Sequence, residues 1–154
     1  MKFLAGWLAC GVLGLGCAMG AVAQDGGYWR ASSDNAKSTT GDIGIGSLKV
    51  TINFGLYSIA QIHSVDATQA RAVFDIDAPE GAVVGNLYHL SVEPGKKFLH
   101  KNTICGNEET QYMVTAVVGK ELHVAFFSGS AMPELKAEAI MNSTTLCGTY
   151  TYMR

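Results

Sequence analysis

The stretch Ser47–Phe54, "SLKVTINF", decides the fold class. Leu48, Val50, Ile52 and Phe54 alternate with Lys49, Thr51 and Asn53. A period of two places the apolar set on one face of a half-buried strand. Gly55 follows, where the backbone is free to bend. Beyond it "LYSIAQIHSV" continues extended, rich in β-branched and aromatic residues.

The same period recurs downstream. "NLYHLSV" (Asn86–Val92) reads as a strand, and "EPGKK" as a turn centred on Pro94-Gly95. "TQYMVTAVV" sets Tyr112, Val114, Ala116 and Val118 on one face, Gly119-Lys120 turns, and "ELHVAFF" answers with Leu122, Val124 and Phe126. "ELKAEAIM" (Glu134–Met141) alternates strictly and is expected to be a strand, with an amphipathic helix as the alternative. In "LCGTYTYMR", Tyr150 and Tyr152 share a face. Upstream, "YWRAS" and the pair Ile43, Ile45 are short strands, and Ser33–Asp42 is polar and turn-rich. Gln24–Gly27 reads as a flexible lead-in.

One segment breaks the pattern. In "DATQARAVF", Asp66 and Gln69 have capping-box spacing, and Ala70, Val73 and Phe74 fall on one helical face. The expectation is an all-β chain: a small antiparallel barrel of about eight strands with one short helix. Closure protects apolar segments such as "YMVTAVV" from edge-to-edge pairing.

The first residues bound the compartment. Lys2 precedes an apolar, uncharged run from Phe3 to Gly20, and Ala21-Val22-Ala23 is an A-x-A cleavage signal. Residues 1–23 read as a secretory signal peptide, leaving a single domain over 24–154. A transmembrane helix is the alternative, which the Gly-rich run and the A-x-A end fit less well. A lipid anchor on Cys17 is another, although the position three residues before it is Gly14, not Leu. Without Lys2, 10 basic residues face 13 acidic ones. No basic tract occurs, so nucleic acid is not an expected partner. No membrane span is expected after cleavage.

Cleavage leaves two cysteines, Cys105 and Cys147. In an oxidising compartment they are expected to pair. A loop of about 40 residues closed this way contributes about 3–4 kcal/mol in the chain-entropy model.

No motif names a reaction. His63, His89, His100 and His123 lie on separate segments without H-x-H or H-E-x-x-H spacing, so no metal site is expected. No serine has a nucleophile-elbow frame, and "GDIGIG" lacks the lysine of a phosphate loop. No catalytic residue and no cofactor are assigned. "HKNTICGNEET", anchored by Cys105, is expected to display Lys101, Asn102, Asn107, Glu108 and Glu109 as a partner-binding loop. Glu108 and Glu109 are adjacent, so an extended backbone points them apart, a poor acid/base pair. Trp29, Tyr57, Tyr88, Tyr112 and Tyr150 are candidates to line a ligand cavity.

The layout resembles small exported calycin-type barrels such as lipocalins. Gly27-Tyr28-Trp29 is a G-x-W start, consecutive strands follow, and a disulfide reaches the C-terminal strand. The pattern "TTGDI…FLHKNTICGNEET…FFSG…LCGTYTY" is also similar to a group of small exported bacterial proteins without assigned function. The lipocalin resemblance implies a small apolar ligand in the barrel mouth, though so short a chain leaves room for only a small cavity. The expected function is that of a periplasmic or secreted, non-enzymatic binding protein for a small molecule. The alternative is an inhibitor or immunity-type protein acting on an envelope enzyme. A metal-dependent hydrolase is a third reading, and requires the histidines to converge.

Overall fold

The computed structural model describes residues 24–154. The expected signal peptide, with Cys10 and Cys17, lies outside them. Eight antiparallel strands pair in chain order and close into a barrel. They are β1 (Gly27–Ala31), β2 (Ile43–Ile45), β3 (Lys49–Ile52), β4 (Gly55–Val65), β5 (Val83–Val92), β6 (Thr110–Val118), β7 (Glu121–Ser128) and β8 (Leu146–Met153). Closure runs through Arg30 opposite Met153 and Ala31 opposite Tyr152. The disulfide joins Cys105, in the loop after β5, to Cys147 at the start of β8, with Cα atoms 5.0 Å apart.

Val50 and Ile52 point into the barrel and are fully buried beside Trp29, Met113, Leu122, Phe126 and Tyr152. Leu48 and Phe54, expected on that face, are exposed. The strand ends at Ile52, and Asn53-Phe54 is a two-residue turn that pairs Ile52 with Gly55. Alternation stops at a turn, so Phe54 no longer shares the inward face.

A second apolar layer lies outside the barrel. Tyr112, Val114 and Ala116 of β6 and Ala125 and Phe127 of β7 pack there against Ala70 and Val73. Those two residues belong to helix α1 (Ala67–Phe74), whose capping box forms as its sequence predicts. The Gln69 amide donates to Asp66 Oδ1 (2.8 Å), and the Asp66 amide donates to Gln69 Oε1 (3.1 Å). Burial on both faces explains why "YMVTAVV" is apolar throughout. At Gly85 a Cβ would come within 2.1 Å of Thr115 O, so β5 and β6 approach closely there.

Two expectations along the chain are corrected. Glu134–Met141 is not a strand: Ala137–Met141 forms a short helix, α2, and Leu135 packs into the outer layer. The barrel is closed and β7 already pairs with β8, so no edge is left for another strand. The Gln24–Gly27 lead-in is anchored rather than loose, because Asp25 is fully buried among donors from β5 and β6. The polar Ser33–Asp42 segment contains a π-helical turn, Ala36–Thr40, whose Thr40 Oγ1 lies 2.6 Å from the Tyr152 hydroxyl.

The barrel therefore has a covered side at β5–β7 and a barer side at β1–β4. One end carries Ala36–Thr40, the Asn53-Phe54 turn and the disulfide loop. The other carries Gln24–Gly26, Gly119-Lys120 and Arg154.

Candidate functional site

The five aromatic residues expected to line a cavity do not share one space. Trp29, Tyr88 and Tyr150 are buried in the inner core, Tyr150 edge-on to Phe126 at 5.5 Å. Tyr57 is half-buried and tilted against Phe98, ring centroids 6.3 Å apart. Tyr112 lies in the outer layer, its hydroxyl donating to Ser130 O (2.9 Å).

The disulfide loop is ordered by its own backbone. The Gly95 amide donates to Gly106 O (2.9 Å) and the Phe98 amide to Asn102 O (2.8 Å). Asn102 Nδ2 donates to Ser38 O (2.9 Å), fastening the loop to the neighbouring helical turn. Lys101, Asn102, Asn107 and Glu108 are exposed and Glu109 is half-buried. Glu108 accepts a hydrogen bond from Ser128 of β7, whereas Glu109 accepts from Ser91 of β5 and from Gln111 Nε2 (3.3 Å). The two carboxylates are drawn toward different strands.

Among the described residues, no group of three His, Cys, Asp or Glu side chains is placed to hold a metal ion. His123 pairs with Glu121 (3.4 Å) and lies against Phe74. Burial lowers the His123 pKa below its usual value, against the opposing influence of Glu121. Among the described residues, no helix is long and apolar enough to cross a membrane.

A groove opens on the barer side. About 400 Å³ in volume, it is walled by Asn53 and Phe54 on one flank and Leu99 on the other. Its floor is Gly41, Ile43, Gly44 and Thr51. The strand register explains this floor. Tyr28, Gly44, Thr51 and Leu56 stand opposite one another on β1 to β4, so two small residues lie between two larger ones. Phe54 is 98 % exposed and Tyr28 is 62 % exposed.

Unusual backbone forms one wall and directly follows Leu99 of the other. Asn53 (φ 44°), Phe54 (φ 66°), His100 (φ 51°) and Lys101 (φ 63°) are left-handed, and only Asp75 joins them among the non-glycine described residues. Each such position costs about 1–2 kcal/mol and tends to occur where function requires it. At the rim the Tyr28 hydroxyl donates to Asp42 Oδ2, and the Ala31 amide donates to Asp42 Oδ1 (2.8 Å). The shared hydrogen bond raises the Tyr28 pKa and, with the Ala31 amide, lowers that of Asp42.

Sequence reasoning missed this groove. Phe54 read as part of an inward face, and Tyr28 was not among the candidate ligand residues. The available signal was "NFG": Asn tolerates left-handed backbone, and a turn must separate β3 from β4. A larger concavity of about 760 Å³ lies between α1 and α2, where the left-handed Asp75 (φ 52°) contributes to the lining but no large apolar side chain stands as exposed as Phe54. No known protein family, no curated protein and no solved structure matches this chain.

Proposed function

We propose that this is an exported, non-enzymatic binding protein that holds an extended, apolar-anchored segment of another envelope protein in the groove between Phe54 and Leu99. One observation carries the reading: a fully exposed phenylalanine is held in costly left-handed backbone on the wall of an apolar groove. A hairpin built only for stability would place glycine at that position. A large apolar side chain kept in water beside a concave surface favours contact with a partner. The export half of the reading is supported by the N-terminal A-x-A pattern and by the disulfide.

Lys101 and Asn102 adjoin Leu99, so part of the expected partner-binding loop joins the same surface. Glu108 and Glu109 contribute to the loop's anchorage instead, and Asn107 is exposed beside them. A second reading places a small apolar molecule in the same groove, whose volume lies within the usual range of about 300–1,000 Å³ for ligand sites.

The test is a titration of the ¹⁵N-labelled protein with the capped peptide acetyl-Leu-Phe-Leu-amide. Saturable shifts confined to Gly41, Gly44, Thr51, Asn53 and Leu99 are expected. Shifts scattered over the barrel, or none, contradict the site. A parallel titration with cyclohexanol that alone gives saturable shifts there favours the small-molecule reading.

A further inference from the structure

Among the described residues Asp25 is the one fully buried carboxylate, although it stands only two positions after Ala23. Its Oδ2 accepts from Asn86 Nδ2 (2.9 Å), the Tyr88 hydroxyl (2.8 Å) and Thr115 Oγ1 (2.6 Å). Gln61 Nε2 steadies Asn86 by donating to its side-chain oxygen (2.7 Å). The surrounding backbone is held too. Trp29 Nε1 donates to Asp25 O (2.8 Å), and Arg154 Nη2 donates to Gly26 O (2.6 Å) and Gln24 O (3.3 Å).

The other carboxylate oxygen is different. Asp25 Oδ1 is buried and meets no hydrogen-bond donor among the described residues. No Lys, Arg or His nitrogen among them makes an ion pair with Asp25. Taking an ion out of water costs several kcal/mol unless a counter-charge is supplied. Three neutral donors on one oxygen supply hydrogen bonds but no charge.

We propose that the counter-charge is the α-ammonium group created when the leader is removed before Gln24. Hydrolysis of the Ala23–Gln24 peptide bond adds one water. Ala23 leaves with the oxygen as its carboxylate, and Gln24 keeps the nitrogen as an α-amine, protonated below about pH 8. That nitrogen is one peptide unit from Asp25; as an amide it makes no hydrogen bond to Oδ1, and the freed amine is the group that turns toward it. In the precursor the same atom is a neutral amide. Cleavage therefore adds a positive charge beside the buried carboxylate, and the barrel end gains its full stability only in the processed chain.

The experiment compares two exported full-length chains, both carrying Gln24→Ala so that an N-terminal glutamine cannot cyclise and lose its amine. The second has two glycines inserted after Ala23, which displaces the new amine. Each is also made with Asp25→Asn. After processing, N-termini are verified by intact mass and urea unfolding is measured. With Asp25 intact, the insertion is expected to lower the folding equilibrium constant about tenfold or more, and with Asp25→Asn less than about threefold. Equal losses in both backgrounds overturn the proposal, as does a wild-type mass showing that the chain is not cut before Gln24.

If Asp25→Asn does not fold, the amine itself reports. At pH 7 its acylation by acetic anhydride is expected to be at least about tenfold slower in the chain without the insertion. Equal rates overturn the proposal.

Discussion

Leu99 closes directly over Gly41: a Cβ built on Gly41 would lie 2.9 Å from Leu99 Cδ1. Gly41 also sits at φ 62°, ψ −159°, a conformation open to glycine and strained for other residues. Floor and wall of the groove thus depend on one missing side chain. Gly41→Ala is expected to destabilise the barrel by about 1–3 kcal/mol in urea unfolding. Adding Leu99→Ala removes the clash and leaves the backbone strain, so the double variant should recover only part of the loss. Full recovery would show that the backbone at Gly41 is not strained.

Cys105 and Cys147, 42 positions apart, enclose the end of the disulfide loop, β6, β7 and α2. The chain-entropy model assigns such a cross-link about 4 kcal/mol. The double variant Cys105→Ala, Cys147→Ala is expected to fall short of the wild type by about that amount in chemical denaturation. The loop around Lys101 should also exchange its amides faster. A loss under about 1 kcal/mol would mean that the loop is held mainly by contacts such as Asn102 to Ser38.

His123 supplies a pH dependence. Burial depresses its pKa in the folded state below the ordinary 6.5, and Glu121 offsets this only in part. As pH falls, the unfolded chain takes up this proton first, so stability is present above about pH 6.5 and declines below it. Urea unfolding at pH 7.5, 6.5 and 5.5 should show that decline, and His123→Gln should make it shallower. An unchanged slope would remove His123 from the account.

The fold was legible where local chemistry and global packing agree. Val50 and Ile52 alternate because β3 has one buried face, and the Asp66–Gln69 box fixes α1 through contacts three residues apart. The disulfide followed from counting, since the expected cleavage before Gln24 leaves one possible pair. The strict alternation of Leu135 to Met141 misled, because barrel closure is a property of the whole chain and leaves no edge to pair with. Asp25 looked like solvated lead-in because its partners Asn86, Tyr88 and Thr115 lie 61 to 90 residues away. The groove was hidden for the same reason: Tyr28, Gly44, Thr51 and Leu56 become one row only once four strands are in register.

The central claim is that Phe54 is held exposed for binding and not for stability. Phe54→Gly tests it most directly, with thermal unfolding and the acetyl-Leu-Phe-Leu-amide titration measured on the same sample. The side chain buries almost nothing, and glycine relieves the left-handed backbone at φ 66°. The expected result is unchanged stability or a gain of up to about 1 kcal/mol, with peptide binding lost. A variant that binds as before, or that loses stability and binding together, would contradict the account.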